Sequence, residues 1–213
     1  MLRIEATTKL QAKSSLWHQE REWRITASNF GIVTSLTERR NISKLCTSLL
    51  SPKLLTTAPV LHGTHYEPIA VEKFTEVTGL DVRSCGLFVS EQFPFLAATP
   101  DGLVEEDGIL EVKCPYSGRE QHIMVGKLFP YLTEGKDKQL ELKQGHRYYD
   151  QVQGQLYIAK KNVCYFAVFT FKDLKVIKIP INHEYCEMSL IPKLQSFYTQ
   201  YYRPFIAKKL YMK

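Results

Sequence analysis

Stretches of helical and of strand periodicity follow one another along the chain, and their order already sorts it into a fold class. Leu16 to Leu50 carries helical spacing, with a cap signal at Thr26-Ala27-Ser28-Asn29 ahead of Phe30 and Val33. Ser51-Pro52 breaks that pattern, and Lys53 to Pro59 reads as loop. His62-Gly63-Thr64 opens a second helix that runs to Thr78 and stops at Gly79. Within it Glu67, Ala70, Val71 and Phe74 fall at i, i+3, i+4 and i+7, on one face. Three of these are apolar, so the carboxylate among them asks for a positive partner.

Asp81 to Val89, Phe93 to Val104 and Ile109 to Cys114 read as strands, the last two joined by the polar turn Glu105-Glu106-Asp107-Gly108. A short helix is predicted over Arg119 to Leu128, then a polar run from Glu134 to Gly145, then a helix over His146 to Ala159. On that helix Tyr149, Val152 and Leu156 form an apolar stripe, and Tyr148, Gln151 and Gln155 a neighbouring polar one. Asn162 to Phe171 and Leu174 to Ile179 read as strands about a turn at Lys172-Asp173. Glu184 to Lys209 reads as a Tyr- and Lys-rich helical region interrupted at Pro192 and Pro204. The order predicts one α/β domain with a central mixed β-sheet flanked by helices. At 213 residues the expected division is a helical region at about 16–50, a core at about 60–181 and a C-terminal helical region at about 184–209.

Composition narrows the class. Hydrophobic content of 44% and charged content of 23% are those of a globular domain. A net charge of +6 favours a polyanionic partner. Met1 to Ser15 is polar and basic, unlike a signal peptide, and the longest apolar run, Val163 to Phe169, is too short to span a bilayer, so no membrane role is expected. Cys46, Cys85, Cys114, Cys164 and Cys186 are scattered without a Cys-x-x-Cys pair. That argues against zinc or an iron–sulfur cluster, and for reduced thiols in an intracellular setting, nuclear in a eukaryote and cytoplasmic otherwise.

The candidate chemistry lies at Pro100-Asp101, followed ten residues later by Glu111-Val112-Lys113. Acid-x-Lys recurs at Glu134-Lys136, Glu141-Lys143 and Asp173-Lys175, but only the Asp101 to Lys113 set has apolar strand on both sides. A hard divalent cation such as Mg²⁺ takes oxygen ligands. Glu67, Asp101 and Glu111 supply three carboxylates, and the Val112 carbonyl a fourth oxygen. Lys113 shares a sheet face with Glu111 because side chains alternate along a strand, and its ammonium can orient a water or neutralise developing charge. Gln151 and Tyr148 are further candidates, set against an ordinary solvated helix face. Arg21, Ser28 and Arg119 are candidate phosphate ligands, with ordinary surface or capping roles as the alternative.

Taken together these residues resemble the YqaJ-type viral recombinases, relatives of the phage lambda exonuclease within the PD-(D/E)XK nuclease superfamily. The resemblance runs from Trp17 to Phe205 through five ordered blocks: Arg24-Ile-Thr-Ala-Ser-Asn29, His62-Gly63 to Glu67-Pro68, Thr99-Pro-Asp-Gly-Leu103, Leu110-Glu-Val-Lys-Cys-Pro115 and Tyr148-Tyr-Asp-Gln-Val-Gln153. It implies a restriction-endonuclease-like core and a Mg²⁺-dependent exonuclease, with Mn²⁺ substituting, that degrades linear duplex DNA from the 5′ end. It makes Glu67, Asp101, Glu111 and the Val112 carbonyl metal ligands, Lys113 the catalytic lysine, and Gln151 and Tyr148 active-site helix residues. Arg21, Ser28 and Arg119 match positions lining a 5′-phosphate pocket, with Thr99 a further DNA-binding residue. A single-strand annealing protein and a ring-shaped homo-trimer are the partners it implies. An endonuclease on the same core and a non-catalytic DNA-binding adaptor remain as alternative readings, the latter opposed by the intact carboxylates.

Overall fold

The structure is a computed structural model and describes residues 2–51 and 56–211. The chain begins with α1 (Leu2–Thr7) and α2 (Ser15–Glu22), followed by the two-residue strand β1 (Ile25–Thr26), a tight turn, α3 (Phe30–Thr34) and α4 (Ile42–Leu50). The predicted helical region at 16–50 is therefore interrupted by β1, whose Ile25 and Thr26 pair in parallel with Leu96 and Ala97. The predicted break at Ser51-Pro52 and loop at Lys53 to Pro59 fall partly outside the described residues. Beyond them α5 (Ala58–Thr78) starts four residues earlier than His62, with Pro59 in its first turn, where a proline's missing N–H costs nothing. Gly79 closes α5 in the left-handed conformation (φ 70°) and donates its N–H to Thr75 O.

Short strands follow: β2 (Val82–Arg83), β3 (Phe88–Val89), β4 (Leu96–Ala98), β5 (Gly102–Val104) and β6 (Gly108–Lys113). The two strands expected at 81–89 and 93–104 each split between sheets. β1, β4 and β3 form one sheet, while β2 and β5 join the five-stranded order β10-β9-β6-β5-β2. Next come the hairpin β7 (Leu132–Glu134) and β8 (Leu140–Leu142), then α6 (Arg147–Ala159), β9 (Val163–Phe169) and β10 (Leu174–Pro180). β6 runs parallel to β9; the other pairs in the large sheet are antiparallel, so the sheet is mixed as expected.

Two expectations fail in this stretch. Arg119 to Leu128 is not a helix but a series of turns. The Arg119 carbonyl accepts from Phe171 N–H, and Ile123 N–H donates to Asp173 Oδ2, so the segment is spent bracing the β9–β10 turn rather than bonding to itself. The polar run at 134–145 holds β8, whose Leu142 is buried opposite Leu132.

The C-terminal helical region is continuous through both prolines. α7 (His183–Tyr185) leads through a wide π turn at Cys186–Leu190 into α8 (Ile191–Phe197), and a second π turn at Tyr198–Tyr202 leads into α9 (Arg203–Tyr211). Pro192 and Pro204 each sit second after a π turn. The widened turn makes room for a ring that would clash with the i−4 carbonyl of a regular helix.

Alternation along β6 and β9 places the core. Ile109, Cys164, Phe166 and Val168 face α6, packing on Val152 and Leu156. Leu110, Val112, Tyr165 and Ala167 face α5, packing on Ala70 and Phe74. Each buried Ile, Leu, Val or Phe among these contributes about 1.5–3 kcal/mol through burial. A third core, around Phe30, Leu194 and Tyr202, ties α3 and α4 to the C-terminal helices. Among the described residues no helix is long and apolar enough to cross a membrane.

Candidate active site

Glu111 and Lys113 are the two polar positions that β6 turns toward α6, where the pattern otherwise calls for apolar residues. Glu111 is 3% exposed and fully tied. Its Oε1 accepts from Lys113 Nζ and from Gln151 Nε2 at 2.6 Å, and its Oε2 accepts from Gln155 Nε2 at 2.7 Å. Lys113 Nζ also reaches Gln151 Oε1 at 3.4 Å and lies 4.6 Å from the centre of the Tyr148 ring. Burial works against the Lys113 charge, but Glu111 and Asp101 outweigh it and raise its pKa above the ordinary lysine value.

Asp101 sits at a bend just before β5 and follows the buried Pro100. Its N–H donates to Leu110 O at 3.0 Å, and its Oδ2 accepts from Val112 N–H at 2.6 Å. That double tie across the turn sets Asp101 beside Glu111. Burial first, then repulsion from Glu111 and Glu67, holds the Asp101 carboxyl well above the ordinary carboxylate range; Lys113 and the Val112 N–H oppose the shift less strongly. Glu67, on α5, borders a cavity of about 210 Å³ with Gly63, Val112, Lys113, Cys114, Pro115, Tyr131 and Tyr148. Its carboxyl, open to solvent on one side, is raised by partial desolvation and by Glu111, against the pull of Lys113.

The donor set fits a hard divalent cation. Glu111 raises both Glu67 and Asp101, and Glu67 raises Asp101 as well, which is the strain that a cation relieves. Among the described residues no three His, Cys, Asp or Glu side chains close into a ready cage. Mg²⁺ does not demand one: it keeps several waters and is held through one or two carboxylates together with substrate oxygens.

The candidate phosphate ligands divide between two places. Arg21 lies across Trp17, its Cζ 3.9 Å from the ring centre, and Trp17 Nε1 donates to Thr99 Oγ1 at 3.1 Å. Arg21 lines a hollow of about 360 Å³ together with His18, Arg24, Thr26 and Asn29. Burial pushes its guanidinium down to about 10, still charged at neutral pH. Ser28 is exposed beside this hollow, its Oγ 3.2 Å from Thr26 Oγ1. Arg119 instead stacks on Tyr116, Cζ 4.2 Å from the ring centre, donates to the Tyr116 carbonyl at 2.7 Å and lies 3.8 Å from Glu120.

Two residues escaped assignment from sequence. Gln155 is 1% exposed and completes the grip on Glu111, also reaching Thr99 O at 3.4 Å. Its i, i+4 spacing from Gln151 on a helix facing a carboxylate-bearing strand was the available signal. Trp17 joins Arg21 to Thr99, and the same i, i+4 spacing to Arg21 marked it.

This is an α/β fold whose strands and one helix converge a buried carboxylate–lysine pair and further carboxylates on a polar cavity, and the fold itself is shared with solved alkaline exonucleases. The alkaline exonuclease LHK-Exo from Laribacter hongkongensis superimposes with a TM-score of 0.72 at 20% identity, covering 93% of this chain and 98% of that one. A SOX–DNA complex superimposes with a TM-score of 0.59 at 13% identity, covering 96% of this chain and 71% of that one. The chain is also 27% identical to the alkaline nuclease of Orgyia pseudotsugata multicapsid polyhedrosis virus, over 87% of its own length and 47% of that protein. It thus spans about half the length of the curated relatives it matches. The YqaJ-like viral recombinase domain model matches residues 16–162, and the chain belongs to that family.

Proposed function

We propose that this chain is a metal-dependent deoxyribonuclease that degrades linear duplex DNA from its 5′ ends. The observation that carries the reading is Glu111 locked by Lys113, Gln151 and Gln155 beside Asp101, at the edge of an open polar cavity. A fold under no functional demand gains nothing from burying two repelling carboxylates. The names of its relatives, alkaline nuclease and alkaline exonuclease, support the same chemistry.

Asp101, Glu111, Glu67 and the Val112 carbonyl are the residues that would hold Mg²⁺ or Mn²⁺. When bound, such a cation polarises the phosphoryl oxygen and acidifies an attacking water. Lys113 holds its ammonium beside Glu111, where it can orient that water or offset charge growing on the phosphate. Gln151 and Gln155 fix the Glu111 carboxylate in one orientation, and the Tyr148 ring supports the Lys113 ammonium through a cation–π contact. Arg21 and Thr99, bridged by Trp17, with Ser28 beside them, form the site for a 5′-phosphate, and Arg119, stacked on Tyr116, contacts the DNA backbone. The wider assembly follows the family: a single-strand annealing protein as partner and a homo-trimer as the working form.

The test is digestion of linear duplex DNA labelled at either end, with Mg²⁺ or EDTA, a closed circle as control, and Lys113→Ala beside the wild type. Metal-dependent loss of one strand from the 5′ end, absent on the circle and in Lys113→Ala, is expected. Cutting of the circle would establish an endonuclease instead, and binding without cutting an adaptor.

A further inference from the structure

A cluster of rings continues outward from the catalytic cavity. Gly63 and Pro115 line that cavity, and the residues adjoining them in the chain, His62 and Tyr116, begin the cluster. The His62 ring centre is 4.5 Å from Tyr66, 5.5 Å from Tyr116 and 5.7 Å from Phe171. Tyr66 lies 4.9 Å from Phe171 and 6.4 Å from Phe169, nearly parallel to the latter. Five rings from α5, from the chain after β6 and from the end of β9 thus meet on one surface. The outer two are not covered: Tyr116 is 37% and Phe171 is 44% exposed.

An ordinary satellite core would bury its largest rings, and these stay open beside a polar cavity. The setting is cationic as well. The Arg119 guanidinium lies over Tyr116, and the Arg119 carbonyl ties this segment to Phe171 N–H, which holds the two exposed rings in a fixed relation. Burial, then Arg119 and His65, push the His62 pKa down, which favours the neutral ring seen packed against Tyr66 and Tyr116. Exposed rings with an arginine among them are the combination that holds unpaired bases without reading their sequence, the arginine drawing the phosphates and the rings taking the base faces.

We infer that Tyr116 and Phe171, backed by His62 and Tyr66, form a stacking platform for single-stranded DNA leading to or from the active site. This deepens the nuclease reading and rests on it for the meaning of the cavity, but not for the binding itself. A duplex keeps its base faces paired and stacked inward, so the platform favours a strand already separated at the rim of the site.

The experiment is fluorescence anisotropy in EDTA with a short oligothymidine and an abasic oligonucleotide of the same length, using the full chain. Wild type is expected to prefer the oligothymidine. Tyr116→Ala and Phe171→Ala are each expected to weaken oligothymidine binding by about ten-fold while leaving the abasic strand unchanged. Tyr116→Phe and Phe171→Tyr, which keep the rings, should restore it. Equal affinity for the two oligonucleotides in the wild type would overturn the platform, as would an equal loss for both in the alanine variants. Cleavage of linear duplex in Mg²⁺ is followed on the same wild-type preparation. Ring-dependent binding without cleavage would remove the nuclease reading and leave the platform; cleavage with ring-independent binding would do the reverse.

Discussion

Gln151 and Gln155 look equivalent in sequence, and the structure makes them energetically different. Both donate to Glu111. Gln151 is satisfied at both ends, because its Oε1 accepts from Lys113 Nζ at 3.4 Å. The Oε1 of Gln155 is buried and has no hydrogen-bond partner among the described residues. A hydrogen bond to a charged acceptor contributes about 1.5–3 kcal/mol, and an unsatisfied buried polar atom costs about 1–3 kcal/mol. Gln151→Leu should therefore lose the full bond, about 1.5–3 kcal/mol of folding stability. Gln155→Leu loses a similar bond but also removes the orphaned oxygen, so the two terms largely offset and its net loss should not exceed about 2 kcal/mol and should be smaller than that of Gln151→Leu. Both variants release one side of the Glu111 carboxylate and should cleave DNA much more slowly. The assay is urea unfolding in EDTA at unchanged m-value, beside initial cleavage rates. Equal destabilisation by both substitutions, or a Gln155→Leu enzyme of wild-type rate, would refute the reasoning.

Other consequences can be checked as directly. Arg21→Ala should slow digestion of 5′-phosphorylated ends far more than of 5′-hydroxyl ends, since only the former present the dianion that a half-buried guanidinium recognises; end-labelled substrates of both kinds decide it. Gly154→Ala would place a methyl 2.3 Å from Phe30 Cδ2, where α6 crosses the start of α3, and should cost about 1–3 kcal/mol, read as a lowered Tm.

Much of the site was legible because charge in a strand is conspicuous. Asp101, Glu111 and Lys113 interrupt apolar runs, and the alternation of Leu110, Val112 and Cys114 against Glu111 and Lys113 set the two acid–base groups on one face. The five-block resemblance carried the fold and family. What stayed hidden lacked a local signal. β1, β2 and β3 are two residues long, too short for any period, and exist only through partners distant in sequence. The β7–β8 hairpin buries Leu132 and Leu142 and packs Leu140 partly, but polar residues separate them and fill its turn, so it reads as loop. Arg119 to Leu128 has helix-compatible composition, and its hydrogen bonds to Phe171 and Asp173 override that preference. Pro192 and Pro204 signalled interruption, which π turns avoid.

The carboxylates are not equally compensated, and that inequality has a measurable sign. Glu111 has three side-chain donors, whereas the one hydrogen bond that the Asp101 side chain accepts among the described residues is from the Val112 N–H. Asp101 is accordingly the group whose folded pKa is held well above its ordinary value, chiefly by burial and then by Glu111 and Glu67. For an acid raised in this way the cost to stability is present above the folded pKa, and it disappears as pH falls through that pKa toward the ordinary value near 3.8. Asp101→Asn keeps an oxygen for the Val112 N–H and removes the charge. In EDTA at pH 7 it should therefore raise Tm above wild type, with the gap narrowing in acid. In Mg²⁺ the order should reverse, because ligand bound to the native state stabilises only the protein that still binds it. Thermal unfolding of both proteins across pH, with and without Mg²⁺, gives the answer. An asparagine variant less stable than wild type in EDTA at pH 7 would mean that Asp101 is held by folding rather than for the cation.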